Sequence, residues 1–382
     1  MKIKTIEYYN KALDWRLNTV DFTNSFSNLT LLVGVSGVGK TQIIKSILNL
    51  KDIANGESLN GVQWDITFET LERVEFRWKG EFESKGLAGG ILDGNDEEPK
   101  IRIINEYLYK QGNELAKRNN DKIEFKNQMT PKLSPFKSLV DILSEEEDIA
   151  PIKEGFDKIV QLDPEKRIYT ATTAFLNQFE NSSLETIQKI NQPDLIKLAL
   201  VYKYFPGVFQ KIKKRFINDI FTQVEDIKVE PEKREDLPIS FKNLLNEFLS
   251  LKIKEKGVDK WISQPNISSG MFKTLMQISE LYLAPEGSVI LIDEFENSLG
   301  VNCIDVLTED LLGQNRNLQF IITSHHPYII NNIGMEHWKI VTRRGGVVTV
   351  KDAKDFNLGK SRHQAFIQLL NLEAYSEGIA VE

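Results

Sequence analysis

Hydrophobic and polar residues follow different patterns along successive parts of this chain of 382 residues. Residues 1–50 predict two strands, a third apolar strand, a glycine-rich loop and an amphipathic helix. Alternating runs in residues 62–78 predict two further strands, and residues 101–125 predict paired strands joined by turns. From about Phe136 to Lys256, apolar residues three and four apart predict helices interrupted by prolines.

The pattern changes again after Ser268. Met271–Tyr282 and Val301–Leu312 have helical spacing, whereas Ser288–Ile292 and Leu318–Thr323 are continuous apolar runs. Such runs are typical of parallel strands covered on both faces. The predicted fold class is therefore α/β, a nucleotide-binding core with a mixed sheet that a helical insertion interrupts.

We expect three parts along the chain. They are an N-terminal part of the core with a β-rich subdomain (1–130), a helical insertion domain (131–258) and the C-terminal part of the core (259–382). The glycine-dense acidic stretch 85–99 is predicted to be a loop.

Composition narrows the class of protein. The hydrophobic share of 41% and the charged share of 27% are those of a globular protein, and the net charge of −7 argues against a chain that coats nucleic acid indiscriminately. Cys303 is the single cysteine, which excludes an internal disulfide. No stretch approaches the ~20 apolar residues of a membrane span, and the start lacks an apolar signal core. A cytoplasmic protein without a membrane partner is expected.

Residues 34–41 form a complete phosphate-binding motif directly after an apolar run. Gly34, Gly39, Lys40 and Thr41 occupy the fixed positions of GxxxxGK[ST]. Glycines let backbone N–H groups point at phosphate oxygens, Lys40 can reach the β- and γ-phosphates, and the Thr41 hydroxyl can bind Mg²⁺. The alternative is a glycine-rich turn without a ligand. The residues predicted to contact the nucleotide here are Gly34, Ser36, Gly37, Val38, Gly39, Lys40, Thr41 and Gln42.

A second set of candidates follows the apolar run Val289–Ile292. Asp293 at the carboxyl end of a central strand would help Thr41 to hold Mg²⁺, and Glu294 could orient or deprotonate an attacking water. Many strands end in acidic residues. The assignment of this pair to magnesium binding and catalysis therefore depends on its position downstream of a phosphate-binding loop.

Two further segments complete a motif order. Ser268 and Gly270 open a helix about 20 residues before Asp293, where a hydroxyl and a helix N-terminus favour an anion. The plainer interpretation is that Ser268 caps the helix. His325 and His326 follow the next predicted strand.

In this order and spacing, the motifs resemble those of the ABC-type ATPases, including the SMC-, RecF- and OLD-like and the AAA-15 and AAA-21 groups. The resemblance covers roughly residues 1–60 and 260–335. It maps Ser268 and Gly270 onto the signature motif and His325 onto the switch histidine, whereas His326 stands where those groups usually have Ser. Glu296–Gly300 is similar to a D-loop, with Gly300 in place of a histidine.

The resemblance implies ATP and Mg²⁺ as cofactors, and Lys40, Glu294 and His325 as catalytic residues. It also implies a head-to-tail homodimer, or a higher even-numbered oligomer, in which Ser268 and Gly270 of one chain lie over the ATP of the other. Gln111 and Gln128 are available for the Q-loop, but neither ends a predicted strand.

Three classes of function follow from the resemblance. The first is an ATPase that senses or regulates a separate effector, a nuclease or toxin, like the antiphage defence ATPases of the PtuA type (Septu and retron systems) and the AriA type (PARIS). The second is a DNA-binding ATPase like RecF or Rad50. The third, an OLD-type enzyme with its own Toprim nuclease, is disfavoured because fewer than 60 residues follow His325 and they lack paired carboxylates.

The helical region carries one feature that bears on nucleic-acid binding. A basic run with interleaved aromatics is a candidate contact, although such a run is more often a solvated helical face. The run comprises Lys197, Lys203, Lys211, Lys213, Lys214 and Arg215.

Overall fold

The computed structural model describes most of the chain. The described residues are 1–23, 28–85, 100–162, 173–190, 192–232, 248–297, 301–313, 316–359 and 361–379. Residues 86–99 of the predicted acidic loop and residues 298–300 of the segment resembling a D-loop lie outside them.

Seventeen strands run through the described residues. They are β1 (Lys2–Asn10), β2 (Trp15–Asp21), β3 (Leu29–Val33), β4 (Val62–Glu69), β5 (Glu75–Phe82), β6 (Ile103–Lys110), β7 (Asn113–Asn119), β8 (Lys122–Phe125), β9 (Gln128–Met129), β10 (Ile159–Gln161), β11 (Val224–Glu232), β12 (Phe248–Glu255), β13 (Ile262–Ser263), β14 (Val289–Ile292), β15 (Gln319–Thr323), β16 (Trp338–Arg344) and β17 (Val347–Asp352). Fourteen of them form one sheet in the order β10-β14-β15-β3-β16-β17-β2-β1-β4-β5-β6-β7-β8-β9, and β11-β12-β13 form a small second sheet.

Twelve α-helices accompany these strands in the described part of the chain. They are α1 (Lys40–Ala54), α2 (Leu139–Ile142), α3 (Ala150–Asp157), α4 (Thr173–Asn177), α5 (Leu184–Lys189), α6 (Asp194–Tyr204), α7 (Pro206–Lys214), α8 (Ser269–Leu283), α9 (Val301–Leu312), α10 (Pro327–Asn332), α11 (Arg362–Leu370) and α12 (Glu373–Ser376). A π-helical segment, Arg215–Ile220, follows α7 directly.

One half of the large sheet is parallel. β10, β14, β15, β3 and β16 run side by side in the same direction. Every residue of β3, β14 and β15 is buried, as expected for strands covered on both faces. The predicted α/β class with a mixed sheet is therefore confirmed.

The other half is a series of antiparallel pairs from β2 through β9. Its strands alternate between buried and exposed positions, which gives one buried face carrying Trp64, Trp78 and Phe82. Gly80 belongs to this face, and a Cβ there would overlap the Trp64 ring. The strands predicted for residues 62–78 and 101–125 are confirmed.

A buried pair of polar side chains, Glu106 and Arg118, holds the antiparallel half to the segment after β9. Glu106 and Arg118 are both fully buried, and Glu106 Oε2 lies 3.7 Å from Arg118 Nε. Trp78 Nε1 and Leu139 N each donate a hydrogen bond of 2.8 Å to Glu106 Oε1. Arg118 also donates to the Lys137 carbonyl oxygen at 2.7 Å. Hydrogen bonds from several elements thus offset the cost of burying these two polar groups.

The chain divides into two compact units. The first unit comprises residues 1–161, 286–295 and 314–382, and contains the large sheet. The second unit comprises residues 162–285 and 296–313, and contains α4 to α9 and the small sheet. The division into residues 1–130, 131–258 and 259–382 stays a prediction.

The helical prediction for Phe136–Lys256 was wrong at three places, the first of which is the short strand β10 (Ile159–Gln161). Val224–Glu232 and Phe248–Glu255 are the strands β11 and β12. They pair antiparallel, with Val224 opposite Glu255 and Glu232 opposite Phe248. The reason is a period of two, because Ile227 and Val229 are buried while the residues between and beside them are more exposed. This alternation outweighs the three- and four-residue spacings that also occur in the segment.

Candidate functional site

A tight loop rich in glycine joins β3 to α1. Gly37 and Gly39 have φ of 87° and 106°, a region that residues with a side chain rarely adopt. A Cβ at Gly34 would lie 2.6 Å from the Val341 carbonyl oxygen, and one at Gly39 would lie 2.7 Å from a Val348 methyl group. The loop therefore requires glycine at these positions for backbone conformation and for space.

Lys40 is the first residue of α1 and bends back over this loop. Its ammonium donates hydrogen bonds to the carbonyl oxygens of Gly34 (2.6 Å) and Val35 (3.0 Å). Ser36 and Thr41 are exposed beside it. The N–H groups of the first helical turn have no intrahelical acceptor, so the loop, the helix N-terminus and one cation converge on the same place.

The remaining loop residues are partly enclosed. Val38 is buried, with 5% of its surface exposed, although its neighbours Ser36 and Gly37 are exposed. Gln42 Oε1 is buried close to Gly39 and accepts no hydrogen bond from the described residues. The loop thus presents its backbone outward while Val38 anchors it from behind.

Asp293 and Glu294 form a turn at the end of β14. Thr323 at the end of β15 organises this turn, because its hydroxyl donates to Asp293 Oδ1 at 2.6 Å and accepts from the Glu294 N–H at 2.8 Å. The Thr323 carbonyl oxygen also accepts from the Phe295 N–H at 3.0 Å. Glu294 has φ of 48°, an uncommon conformation for a residue with a side chain. One threonine therefore fixes both carboxylate-bearing residues.

Register places these groups at one edge of the sheet. In the parallel ladder, Ile292 pairs with Ile322, and Thr323 pairs with Leu32. The carboxyl ends of β14, β15 and β3 are consequently level, which is where ligands bind in open α/β sheets. The loop with Lys40, the Asp293–Glu294 turn and the Ser324–His326 segment all leave the sheet at this edge.

The two adjacent histidines occupy different environments. His325 is exposed, whereas His326 is partly buried. His326 caps α10, because its Nδ1 accepts from the Tyr328 N–H at 3.2 Å and its own N–H donates to Ser324 Oγ at 3.0 Å. A structural role thus accounts for His326, and His325 is the exposed histidine of the pair.

Ser268 and Gly270 belong to the second unit and begin α8. The Ser268 hydroxyl accepts from the Met271 N–H at 3.3 Å, so it caps the helix. Ser268 itself is exposed and Gly270 is partly exposed. One turn further, Lys273 Nζ donates to the Asn297 carbonyl oxygen at 2.6 Å, which ties α8 to the segment resembling a D-loop.

The residues at the sheet edge suit a magnesium–nucleotide complex better than a metal bound by protein alone. No cluster of three or more metal-ligating His, Cys, Asp or Glu side chains exists among the described residues. The available oxygen donors are the exposed Thr41 hydroxyl and the Asp293 carboxylate that Thr323 orients. Mg²⁺ commonly takes one or two protein oxygens together with phosphate oxygens, and this donor set fits that habit.

One residue at this edge escaped the sequence prediction. β10 pairs in parallel with β14, and Gln161 lies opposite Leu291, so Gln161 ends its strand beside the Asp293–Glu294 turn. Gln161 is exposed and is also the last residue before the chain passes into the second unit. The sequence signal for this strand is short. It consists of the apolar pair Ile159–Val160 before Gln161, and the surrounding residues have helical spacing.

The two glutamines considered from the sequence lie elsewhere. Gln111 is in the turn between β6 and β7, with φ of 50°, and Gln128 is in the short strand β9. Both are exposed and belong to the antiparallel half. Neither lies at the carboxyl edge of the parallel strands.

Two of the six basic residues in the run are paired with acids. Lys197 is buried and donates to a main-chain carbonyl oxygen at 3.2 Å. Arg215 lies 2.7 Å from Asp310, and Lys213 lies 2.6 Å from Asp226. These pairs reduce the positive charge offered to solvent. Contact with nucleic acid stays a prediction.

Comparison with solved structures finds folds similar to this one. A crystal structure of "the SmcHead bound to the C-winged helix domain of ScpA" is 16% identical over 92% of this chain and 97% of that chain, with a TM-score of 0.49. The "SMC head domain from Thermotoga maritima" is 13% identical over 92% and 99%, with a TM-score of 0.43. A head domain with an extended coiled coil, "bound to the C-terminal domain of ScpA derived from Pyrococcus furiosus", is 12% identical over 92% and 96%, with a TM-score of 0.48.

Sequence similarity and the hydropathy of the helices give further information on the class of protein. A search of curated proteins gives no match. Among the described residues, no helix has the length and hydropathy that crossing a bilayer requires. Residues 29–331 match the family described as "AAA domain, putative AbiEii toxin, Type IV TA system", and the chain therefore belongs to this family of AAA-domain proteins.

Proposed function

We propose that the chain is an ABC-type ATPase that binds and hydrolyses ATP with Mg²⁺ at the carboxyl edge of β14, β15 and β3. The observation that carries the proposal is the level register of these strands. It brings Lys40, the Asp293–Glu294 turn and His325 to one edge although they are far apart in sequence. Membership of an AAA-domain family supports the same activity.

Each residue has a role that its surroundings support. The loop N–H groups and the start of α1 bind the phosphates, and Lys40 exchanges its two carbonyl acceptors for β- and γ-phosphate oxygens. Thr41 and Asp293 are the ligands for Mg²⁺, which neutralises charge on the phosphates when bound. Glu294 positions the attacking water for in-line displacement, and His325 contacts the γ-phosphate.

The second half of the site is proposed to come from another copy of the chain. α8 begins with an exposed Ser268 and a partly exposed Gly270, so its N-terminus is open to an anion. A head-to-tail dimer, or a higher even-numbered oligomer, places this N-terminus over the γ-phosphate of the partner and makes two equivalent sites. Loss of the γ-phosphate removes the shared ligand and favours opening of the dimer.

Gln161 is the residue we propose for the Q-loop. It ends β10 at the same edge and directly precedes the passage of the chain into the second unit. The chain passes into the second unit again between Phe295 and Glu296, just after Glu294. Contacts of Gln161 and Glu294 with nucleotide would thus be passed along short lengths of chain to the second unit.

The purpose of the cycle is proposed to be control of a separate effector, a nuclease or toxin, in antiphage defence. The family description, which names a putative toxin of a type IV toxin–antitoxin system, supports a role in this area. A DNA-binding ATPase like RecF or Rad50 is the second candidate. The basic run supports it only in part, because Lys213 and Arg215 are paired with acids and Lys197 is buried, which reduces the number of charges left for phosphate contacts.

A mixing experiment tests the composite site. Lys40→Ala removes the loop cation but leaves Ser268 intact, whereas Ser268→Asp keeps a helix cap and places a carboxylate against the γ-phosphate. We expect each variant alone to lack ATPase activity. A mixture should regain activity, because a mixed dimer contains one complete site. Failure of the mixture to regain activity, with both variants folded and the wild type active, would exclude a site shared between chains.

The effector hypothesis is tested by co-purification. Tagged Glu294→Gln protein, held with ATP, should retain the product of an adjacent effector gene in stoichiometric amount by native mass spectrometry. The same preparation incubated with duplex DNA provides the opposing arm. Retention of DNA with no protein partner would favour the RecF-like function instead.

A further inference from the structure

Three segments from late in the chain pack behind the phosphate-binding loop. The first two belong to β16 and β17, where the Val341 carbonyl oxygen and the Val348 side chain leave no room for a Cβ at Gly34 and Gly39. The third is the segment that contains α12 and continues to Ile379. Here a Cβ at Gly378 would lie 2.5 Å from Val38 Cγ1 and 2.8 Å from Val35 Cγ2.

The third segment is itself anchored on the sheet. The Arg343 N–H in β16 donates to the Gly378 carbonyl oxygen at 2.7 Å, and Ala374 in α12 is fully buried. Gly378 is buried with φ of 69°, whereas the neighbouring Ile379 is 51% exposed. The backbone at Gly378 is thus held between β16 and the two valines of the loop.

We propose that Gly378 is a positioning residue for nucleotide binding, which acts by seating Val35 and Val38 and thereby fixing the loop backbone between Gly34 and Gly39. This inference rests on the proposed nucleotide site. Val38 is the buried side chain of the loop, and Gly378 lies against its Cγ1 methyl group. A shift of Val38 moves the N–H groups on either side of it, which are the groups proposed to bind phosphate.

The absence of a side chain at Gly378 is what permits this contact. An alanine there meets Val38 well inside van der Waals distance, so either the loop or the segment Glu373–Ile379 must move. The segment is hydrogen-bonded to β16, whereas the loop tip is exposed at Ser36 and Gly37. The loop is therefore the side that yields.

A matched pair of variants separates positioning from backbone strain. Gly378→Ala introduces both the clash and a side chain at positive φ. Gly112→Ala introduces a side chain at φ of 80° in the same unit, with no atom within 4 Å of the new Cβ. Both variants pay the backbone cost, and only the first displaces the loop.

We expect Gly378→Ala to weaken ATP binding by at least about tenfold, since a displaced N–H loses a hydrogen bond to a charged phosphate. Gly112→Ala should bind like the wild type. Calorimetric titration with ATP at low temperature measures both affinities. Hydrogen–deuterium exchange of the peptide over residues 34–41, without nucleotide, should be faster in Gly378→Ala alone.

Trimming the loop provides a rescue. In a Val35→Ala/Val38→Ala background, both methyl groups that oppose Gly378 are gone, so adding Gly378→Ala should change affinity and exchange far less than it does in the wild type. The triple variant also serves if Gly378→Ala alone fails to fold.

The outcomes distinguish the two proposals. Unchanged ATP affinity and unchanged loop exchange in Gly378→Ala, beside a wild type that binds ATP, would overturn the positioning role and leave the nucleotide site standing. An equal loss with and without the side chains of Val35 and Val38 would also overturn it. A wild type that binds no ATP would overturn the proposed function, and with it the role of Gly378 in nucleotide binding.

Discussion

The Thr323 hydroxyl connects β15 to the turn that follows β14 by a hydrogen bond of 2.6 Å to Asp293 Oδ1. The same hydroxyl accepts from the Glu294 N–H, so a single oxygen fixes a carboxylate and the backbone of the following residue. Glu294 holds an uncommon positive φ in this turn. Strain of this kind persists only where neighbouring groups over-determine it, and Thr323 is such a group.

Thr323→Val should reduce ATP turnover while leaving the fold intact. Valine fills the same volume but neither donates to Asp293 nor accepts from the Glu294 N–H. We expect kcat to fall by about 10- to 100-fold, the usual loss when a group that orients a metal ligand is removed. Steady-state phosphate release at saturating ATP and Mg²⁺ measures it.

Thr323→Ser is the matched control for that prediction. It retains the hydroxyl and loses one methyl group, so its turnover should stay close to that of the wild type. Equal losses in the serine and valine variants would assign the effect to packing of Thr323 and contradict the role of its hydroxyl.

Glu294→Gln should trap an ATP-bound dimer. The amide keeps the size of the side chain and the backbone hydrogen bond to Thr323, but it is a poor base for water. Hydrolysis then stops after the γ-phosphate has bridged the two chains. Size-exclusion chromatography with light scattering should show a dimer with ATP and a monomer without it. A variant that stays monomeric with ATP, while still binding it, would argue against the bridged dimer.

Ser268 allows its structural and functional roles to be separated. Ser268→Ala should lower the free energy of unfolding by about 1 kcal/mol, since the cap of α8 is lost. Ser268→Asp should restore that free energy because aspartate caps equally well. If Ser268 also binds a γ-phosphate, the aspartate variant is the worse ATPase despite its stability. Activity that follows stability in both variants would limit Ser268 to capping.

Glu106 should make stability depend on pH. Burial raises the pKa of Glu106 to about 7, against the attraction of Arg118, from an ordinary value of 4.5. Between these two pH values the unfolded carboxyl group has lost its proton while the folded one keeps it. The contribution of Glu106 to the free energy of unfolding therefore falls by about 3 kcal/mol as pH rises from 4.5 to 7.

Urea denaturation at several pH values tests this sign. The difference in free energy of unfolding between the wild type and Glu106→Gln should decrease across that range. Glu114→Gln, at an exposed position of β7, provides the control and should show no comparable slope. A difference that rises with pH would mean that Arg118 keeps Glu106 ionised in the folded protein.

The parts of the fold that the sequence predicted are those with one dominant local signal. The continuous apolar runs at Val289–Ile292 and Phe320–Ile322 are typical of strands buried on both faces, and both belong to such strands. The GxxxxGK[ST] residues specify a strand-to-helix loop by backbone conformation alone, and this loop lies between β3 and α1. Such features depend little on the rest of the chain.

The features that escaped prediction depend on distant partners. β11 has a period of two, but its length and charge also allow a helix, and only pairing with β12 decides between them. Gln161 becomes part of the edge because β10 pairs with β14, about 130 residues later in the chain. The glycine at position 378 carries no local pattern at all, since its importance arises from Val35 and Val38.

The net charge of the basic run also depends on distant partners, which its own sequence does not reveal. Counting lysines and arginines over 197–215 suggested a positive face. Asp226 and Asp310, which pair with Lys213 and Arg215, come from other elements. Sequence spacing therefore overestimates the charge that a helix offers to solvent.

The position of β3 in the sheet has a consequence for synthesis of the chain. β3 pairs only with β15 and β16 among the described strands, and β15 begins roughly 290 residues after β3 ends. At ribosomal rates of about 5–20 residues per second, the apolar strand Leu29–Val33 waits roughly 15–60 s for its first neighbour. The antiparallel strands β4 to β8 can pair long before that. We expect the nascent chain to need protection of this one strand, and the ability to bind nucleotide to arise only once β15 and β16 have been translated.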